Sequence, residues 1–508
     1  MIIILAASSL LFGYLVLQRL QLYLARRRII QENNCKPCPY VLNRDPILGL
    51  DILRENVRLA DAGRFLSGSQ ARFRRFKSNT FHNRIITSPI ILTVEPENIK
   101  TILSLKFKDY DFSNRKVAMD PLLGDGIFNS DGARWASSRH LLRPNFAREQ
   151  VADLAMLERH FKHLLKYIPA DGSTVDLQDL FFCMTMDTAT EFLFNHSTNS
   201  LRMLDQQESS ANEDVQFARA FNAAQQDIVT RVRFGPLYRL LSKNTVKEGA
   251  DAVKMCHAYV DRFVDDAVRW REEQDLEKKG SSDERYVFIH ELAKQTKDKT
   301  RIRNELINIL LAGRDTTASL LSNMFFEFAK RPEVWRKLRE EVEGLQGRIP
   351  SYEELRGMKY VKWCLNESLR LNPVVPSNSR FAIRDTVLPR GGGPDGSSPL
   401  FVPRGTTVGY STYTMHRRQD LYGADAEEFR PERWEALRPS WEYLPFNGGP
   451  RICLGQQYAL TEAGFVTVRL AQEFKRLESR DTNGGVWVEG LTLTLCSKNG
   501  TKVGLFRE

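Results

Sequence analysis

Phe446-Asn447-Gly448-Gly449-Pro450-Arg451-Ile452-Cys453-Leu454-Gly455 is the stretch from which the rest of the chain can be read. Three glycines, Gly448, Gly449 and Gly455, crowd one cysteine, and glycine lets backbone turn sharply or approach a flat ligand. The residues from Gly455 onward, GQQYALTEAGFVTVRLAQEF, have helical spacing and no proline, which places Cys453 just ahead of a helix N-terminus. There the helix dipole and unpaired N–H groups stabilise a thiolate, and Arg451 adds positive charge two residues away. A lone buried cysteine is most often a small hydrophobe. The glycine frame, the helix start and the arginine favour a thiolate ligand instead, and a single thiolate suits the axial position of haem iron.

The 508 residues, 42% apolar and 27% charged with 31 Gly and 21 Pro, have ordinary globular composition, which excludes fibrous and wholly disordered chains. Seven scattered cysteines argue against a secreted disulfide framework. Cys35 and Cys38 form a lone CxxC in a loop-like stretch, with no second pair or nearby histidine to complete a zinc site. A net charge of +10 favours acidic partners or anionic membrane surfaces, and no nucleic-acid-binding motif accompanies it. The opening MIIILAASSLLFGYLVL is uncharged and helical in length, about 25 Å against a hydrocarbon core of about 30 Å. Arg26, Arg27 and Arg28 follow it, and no basic residue precedes it, so the positive-inside rule predicts an uncleaved single-pass anchor with the body in the cytosol.

Periodicity predicts a mainly α fold with a minor β region: helices around 133–144, 149–168, 176–194, 249–277, 300–330, 332–345 and 359–371. Strand-like alternation marks Ile86–Val94, Arg380–Leu388, Thr406–Tyr413 and Val486–Leu495. The glycine-rich 389–399 reads as a turn between strands, 202–214 and 271–285 as exposed loops or helix ends, and 217–240 as apolar loops. The expected organisation is an anchor at 1–24, a basic linker at 25–45 and one catalytic domain at 46–508. Within the 300–330 helix, Ala312-Gly313-Arg314-Asp315-Thr316-Thr317 interrupts an apolar run. Gly313 removes bulk where something lies against the helix, and Asp315 and Thr316 offer a carboxylate and a hydroxyl for relaying protons.

FNGGPRICLG resembles the haem-binding signature FxxGxRxCxG of the cytochrome P450 mono-oxygenases, at Phe446, Gly449, Arg451, Cys453 and Gly455. AGRDTT fits the family pattern [AG]Gx[DE]T[TS], and the resemblance implies that Thr316 and Asp315 deliver protons during oxygen activation. It implies a single P450 fold holding haem b, with Cys453 as axial ligand and Trp135, Arg139, Arg380, Arg451, Phe446 and Gly455 around the cofactor. The ExxR pair Glu367–Arg370 with Arg433 is implied to be a buried structural triad, costly to desolvate but specific in geometry.

LLAGRDTTASLLS, LPRGGGPDGSSPLFVPRGTTVGYS and the DAEEFRPERW and FNGGPRICLGQQYALTEA runs are similar to the n-alkane and fatty-acid terminal hydroxylases of yeasts and filamentous fungi. Residues near 112–130, 217–235, 374–379 and 490–496 are implied to line the substrate space. Oxidation of a polyketide or terpenoid in secondary metabolism is the alternative. The expected partners are a lipophilic substrate, O2, NADPH-cytochrome P450 reductase and the endoplasmic reticulum membrane; the chain is expected to be a monomer that binds no nucleic acid. No GxGxxG opens a helix, so electrons come from another protein. A haem protein that does not activate oxygen would tend to lack the Asp315–Thr316 pair, and in a non-haem tethered binding protein the Cys453 frame would be accidental.

Overall fold

Segments with apolar residues three and four apart form helices: Gly132–Leu142, Leu154–Leu165, Leu177–Phe194, Lys243–Glu277, Lys299–Ala329, Pro332–Glu343 and Lys359–Leu371. The computed structural model describes residues 2–39, 45, 49–85, 88–112, 115–147, 153–204, 212–277 and 286–507. They divide into two compact units that interleave along the chain.

The first unit comprises Met1–Asp111, Ser377–Met415 and Ser440–Arg451. Its five-stranded sheet runs in the order Thr80–Ile85, Ser88–Thr93, Thr407–Ser411, Ser377–Ala382 and Tyr110–Asp111. Only the pairing of Ser88–Thr93 with Thr407–Ser411 is parallel. The helix Phe65–Phe76 closes on this sheet through Phe73, whose ring lies 4.8 Å from that of Phe81. The 389–399 turn joins the antiparallel strands Thr386–Gly392 and Ser398–Val402, as expected. The Arg380–Leu388 strand is instead broken in two by a bend at Ile383 and Arg384; beside it the Asp385 carboxylate accepts from Arg26 and from the Arg404 N–H.

The helix Ile2–Glu32 also belongs to this unit and runs on through the basic cluster. Arg26 grips Asp385 with two hydrogen bonds of 3.0 and 3.1 Å, and Arg28 pairs with Glu32. Its apolar residues from Ile4 to Leu24, among them Leu10, Phe12 and Leu17, are exposed. Among the described residues no helix is long and apolar enough to cross a membrane. The uncharged run stops at Leu17, where Gln18 and Arg19 follow.

The second unit comprises Phe112–Pro376, His416–Pro439 and Ile452–Glu508. The Lys299–Ala329 helix is its axis, covered along most of its length by Leu177–Phe194, Lys243–Glu277 and Gln456–Glu473. Leu122, Phe217, Phe221, Val260, Phe288, Leu306 and Leu310 form part of one continuous core around it. Residues 217–234, expected as apolar loops, lie within the helix Glu213–Phe234. Asn212 caps that helix, and Phe217, Phe221, Ala224 and Ile228 bury a stripe at helical spacing. Residues 271–277 form the end of the Lys243–Glu277 helix, within what was expected of them, while 205–211 and 278–285 lie outside the described residues. Ile86 and Thr87 of the expected Ile86–Val94 strand are likewise outside. Val486–Leu495 resolves into a hairpin of Glu489–Leu491 and Leu495–Ser497.

Candidate functional site

Cys453 combines two properties that rarely coincide. Its surface is exposed, yet surrounding protein pushes its thiol pKa up, against the Gly455 N–H and the Arg139 charge, which both pull it down. Gly455 is the residue before the helix Gln456–Glu473, so the helix begins just after the cysteine, as expected. Arg139 is a cation acting on Cys453. Trp135 and Arg139 sit one turn apart on Gly132–Leu142, with the guanidinium 6.0 Å from the indole and its Nη1 donating to the Ile452 carbonyl at 3.0 Å.

The Lys299–Ala329 helix is buried on nearly every side in its middle, except at Leu311, Ala312, Gly313 and Thr316. A Cβ on Gly313 would meet only Ala189, at 3.7 Å, so the small residues leave one face of the helix open. Thr316 Oγ1 donates to the Ala312 carbonyl at 2.7 Å beside this opening. Asp315 is turned elsewhere. Its buried carboxyl lies 3.1 Å from Arg314 and faces Gln225 of the Glu213–Phe234 helix. Burial pushes its pKa up, while Arg314 and Gln225 pull it down. The two residues read together from the sequence therefore address different sides of the helix.

Sequence reasoning missed the next residue on that helix and its partner. Glu462, fully buried in Gln456–Glu473, accepts a 2.5 Å hydrogen bond from Thr188 and faces Thr317. Burial raises its pKa to about 7, against the two hydroxyls. The available signal is a lone acid in the midst of YALTEAGFVTV.

Glu367 and Arg370 are fully buried and joined by two hydrogen bonds of 2.9 Å. Arg433 donates to Glu367 Oε1 at 2.8 Å, and Trp434 Nε1 and the Arg430 N–H complete the carboxylate's shell. Arg370 also donates to the carbonyls of His416, Ala426 and Glu428, so every charge in the cluster has partners. The Pro373–Pro376 segment and the terminal hairpin also meet: Leu495 N–H donates to the Val374 carbonyl at 3.0 Å, and Ser319 of the long helix reaches Thr494.

In the first unit, Arg380 lies in the strand Ser377–Ala382 and is only 3% exposed, with Nη1 on the Asn378 side chain and the Ser379 carbonyl. Phe446 is half-buried, and Arg451 stands 5.9 Å above the Phe107 ring. Gly449 has φ 68°, and a Cβ there would stand 1.9 Å from the Leu103 carbonyl oxygen. The chain passes from this unit into the other between Arg451 and Ile452.

The family model described as "Cytochrome P450" matches residues 61–486. The chain belongs to the cytochrome P450 family. It is 51% identical over 478 residues to the cytochrome P450 monooxygenase himC of Aspergillus japonicus, covering 93% of this chain and 84% of that protein. It is 47% identical to fsdH of Fusarium heterosporum, across 97% of this chain and 87% of the relative. Cytochrome P450 52A13 of Debaryomyces hansenii is 42% identical over 98% of this chain and 96% of its own length. The protein is thus an oxidoreductase of the monooxygenase type, using haem held through a thiolate, O2, a redox partner and a lipophilic substrate. An accessible thiol within the fold and a glycine-relieved helix face are what such a group requires of a P450 chain.

Proposed function

We propose that this P450 hydroxylates the terminal carbon of a long-chain alkane or fatty acid, with Cys453 as the haem's axial ligand. Haem so bound supplies the oxidising chemistry; the chain supplies position and protons. Arg139, Arg380 and Arg451 balance the charge at the cofactor's edge, while Trp135, Phe446 and Gly455 pack about it. Thr316 holds a proton at Oγ1 beside the open helix face. Asp315, flanked by Arg314 and Gln225, is the carboxylate that feeds protons. The Glu367–Arg370–Arg433 cluster maintains the fold.

The observation that supports the substrate reading is the meeting of Val374 with residues 492–495, two segments expected to wall the substrate space, in a chain whose LLAGRDTTASLLS and FNGGPRICLGQQYALTEA runs resemble those of alkane and fatty-acid hydroxylases. A methyl C–H is stronger than a methylene C–H, so terminal attack requires a wall that presents only the chain end. Turnover with reductase of linear chains of roughly twelve to eighteen carbons should give primary alcohols or ω-hydroxy acids, located by mass spectrometry. In-chain alcohols would contradict it. A second reading, oxidation of a polyketide or terpenoid intermediate, is favoured by the higher identity to himC and fsdH than to the 52A relatives. Activity on such a compound with none on linear chains would establish it.

The exposed apolar residues of Ile2–Glu32 support single-pass attachment to the endoplasmic reticulum membrane, as expected of a P450 reduced there by NADPH-cytochrome P450 reductase. Local thinning and snorkelling of Arg19 accommodate a run slightly shorter than the bilayer.

A further inference from the structure

The Lys299–Ala329 helix carries a second polar cluster, three turns before Thr316, that no part of the reaction described above uses. Asn304, Glu305 and Asn308 are buried, Glu305 and Asn308 completely. The side chains of Glu305 and Asn308 are spent on the backbone between the helices Arg115–Leu123 and Gly132–Leu142. Ile127 N–H donates to Glu305 Oε2 at 3.0 Å, and Phe128 N–H donates to Asn308 Oδ1 at 3.0 Å. Asn308 Nδ2 donates to the Leu123 carbonyl at 2.9 Å, so this one amide closes both ends of the 124–127 turn.

The two glycines of that turn exist for this approach. A Cβ on Gly124 would stand 2.3 Å from Asn304 Nδ2, and one on Gly126 would stand 2.1 Å from Asn308 Nδ2. Asn129 and Ser130 then bond back to the Gly124 and Gly126 carbonyls, stiffening the turn from within. The Glu305 carboxyl also faces the hydroxyl of Ser138, one residue before Arg139. Burial raises its pKa, with Ser138, the Ile127 N–H and the more distant Arg301 and Arg134 acting against that.

We propose that Glu305 and Asn308 are positioning residues that clamp the 123–130 segment to the long helix and so set one wall of the substrate space. The proposal rests on the reading of residues 112–130 as lining that space. A surface loop is held by its own turns and drifts with solvent. Here each arm grips main chain, so the wall keeps its place whatever side chains it presents. Loss of one arm strands a buried N–H, which is the expensive outcome for a hydrogen bond inside a protein.

The test uses the full-length holoprotein with Glu305→Ala, Asn308→Ala and the conservative Glu305→Gln, whose amide oxygen still accepts from Ile127. Hydrogen exchange is followed in peptides spanning Ile127 and Phe128. In parallel, haem absorbance reports the binding of imidazole and of 1-dodecylimidazole, which add the same ring without and with a long chain. Both alanine variants should exchange these amides at least about tenfold faster. They should bind 1-dodecylimidazole about tenfold more weakly while imidazole changes by less than about twofold, and Glu305→Gln should follow the parent protein in both measurements. Unchanged exchange in both alanine variants, or parallel loss of both ligands, would overturn the clamp. If the parent protein bound neither azole, the haem reading would fall instead, and the exchange data would still decide the clamp.

Discussion

Glu462 and Asp315 are both buried carboxyls near the middle of the Lys299–Ala329 helix, and their surroundings separate their roles. Asp315 has a guanidinium 3.1 Å away and an amide in front of it, whereas the polar groups facing Glu462 are the hydroxyls of Thr188 and Thr317. A pKa raised from 4.5 to about 7 means that the fold resists ionising Glu462. The sign follows directly: the penalty is absent below the unfolded pKa, grows as pH rises through the interval, and is complete above about 7. Glu462→Gln keeps an acceptor for Thr188, so it should stabilise the protein by on the order of 3 kcal/mol at pH 8 and by little near pH 5. Thermal melting against pH checks this, and a constant difference across that range would contradict it. Neither the divergence of Asp315 from Thr316 nor the Thr188–Glu462 hydrogen bond was legible in the sequence. Both depend on helices brought together from residues far apart along the chain. Cys453 was legible because its signal is local: glycines, an arginine and a helix start lie close together around it.

At the scale of elements, the helices with dense apolar spacing emerge within a few residues of their sequence limits, as Lys299–Ala329 and Lys359–Leu371 do. Glu213–Phe234 was obscured by its charged ends, although Phe217, Phe221, Ala224 and Ile228 carry the spacing that buries it. Strand limits were less legible: the bend at Ile383 and Arg384 has no glycine or proline to mark it, and the adjoining Asp385 is held by Arg26 from a distant part of the chain. The turn at Gly449 is tightly constrained, with a positive φ and a carbonyl where any side chain would begin. Gly449→Ala should therefore destabilise the first unit by more than about 2 kcal/mol and lower haem content after expression. Differential scanning and haem quantification read both effects; parent-like values would show that the Leu103 turn yields.

At the scale of the whole molecule, the helix Ile2–Glu32 presents an exposed apolar surface and is tied to the first unit at Arg26. Removing residues 1–28 deletes that surface together with the Arg26–Asp385 pair, half-buried and worth on the order of 1 kcal/mol. The truncated protein should stay folded and bind haem, but float poorly with liposomes of microsomal composition. Undiminished flotation would place membrane attachment elsewhere in the chain.

The account turns on Cys453 as the thiolate that holds the haem. The carbon monoxide difference spectrum of the reduced protein is its most direct measurement. The intact chain should give the absorption band typical of thiolate-ligated haem, and Cys453→Ala should lose it. A Cys453→Ala protein that kept the thiolate-type band would contradict the assignment on which the proposed site is built.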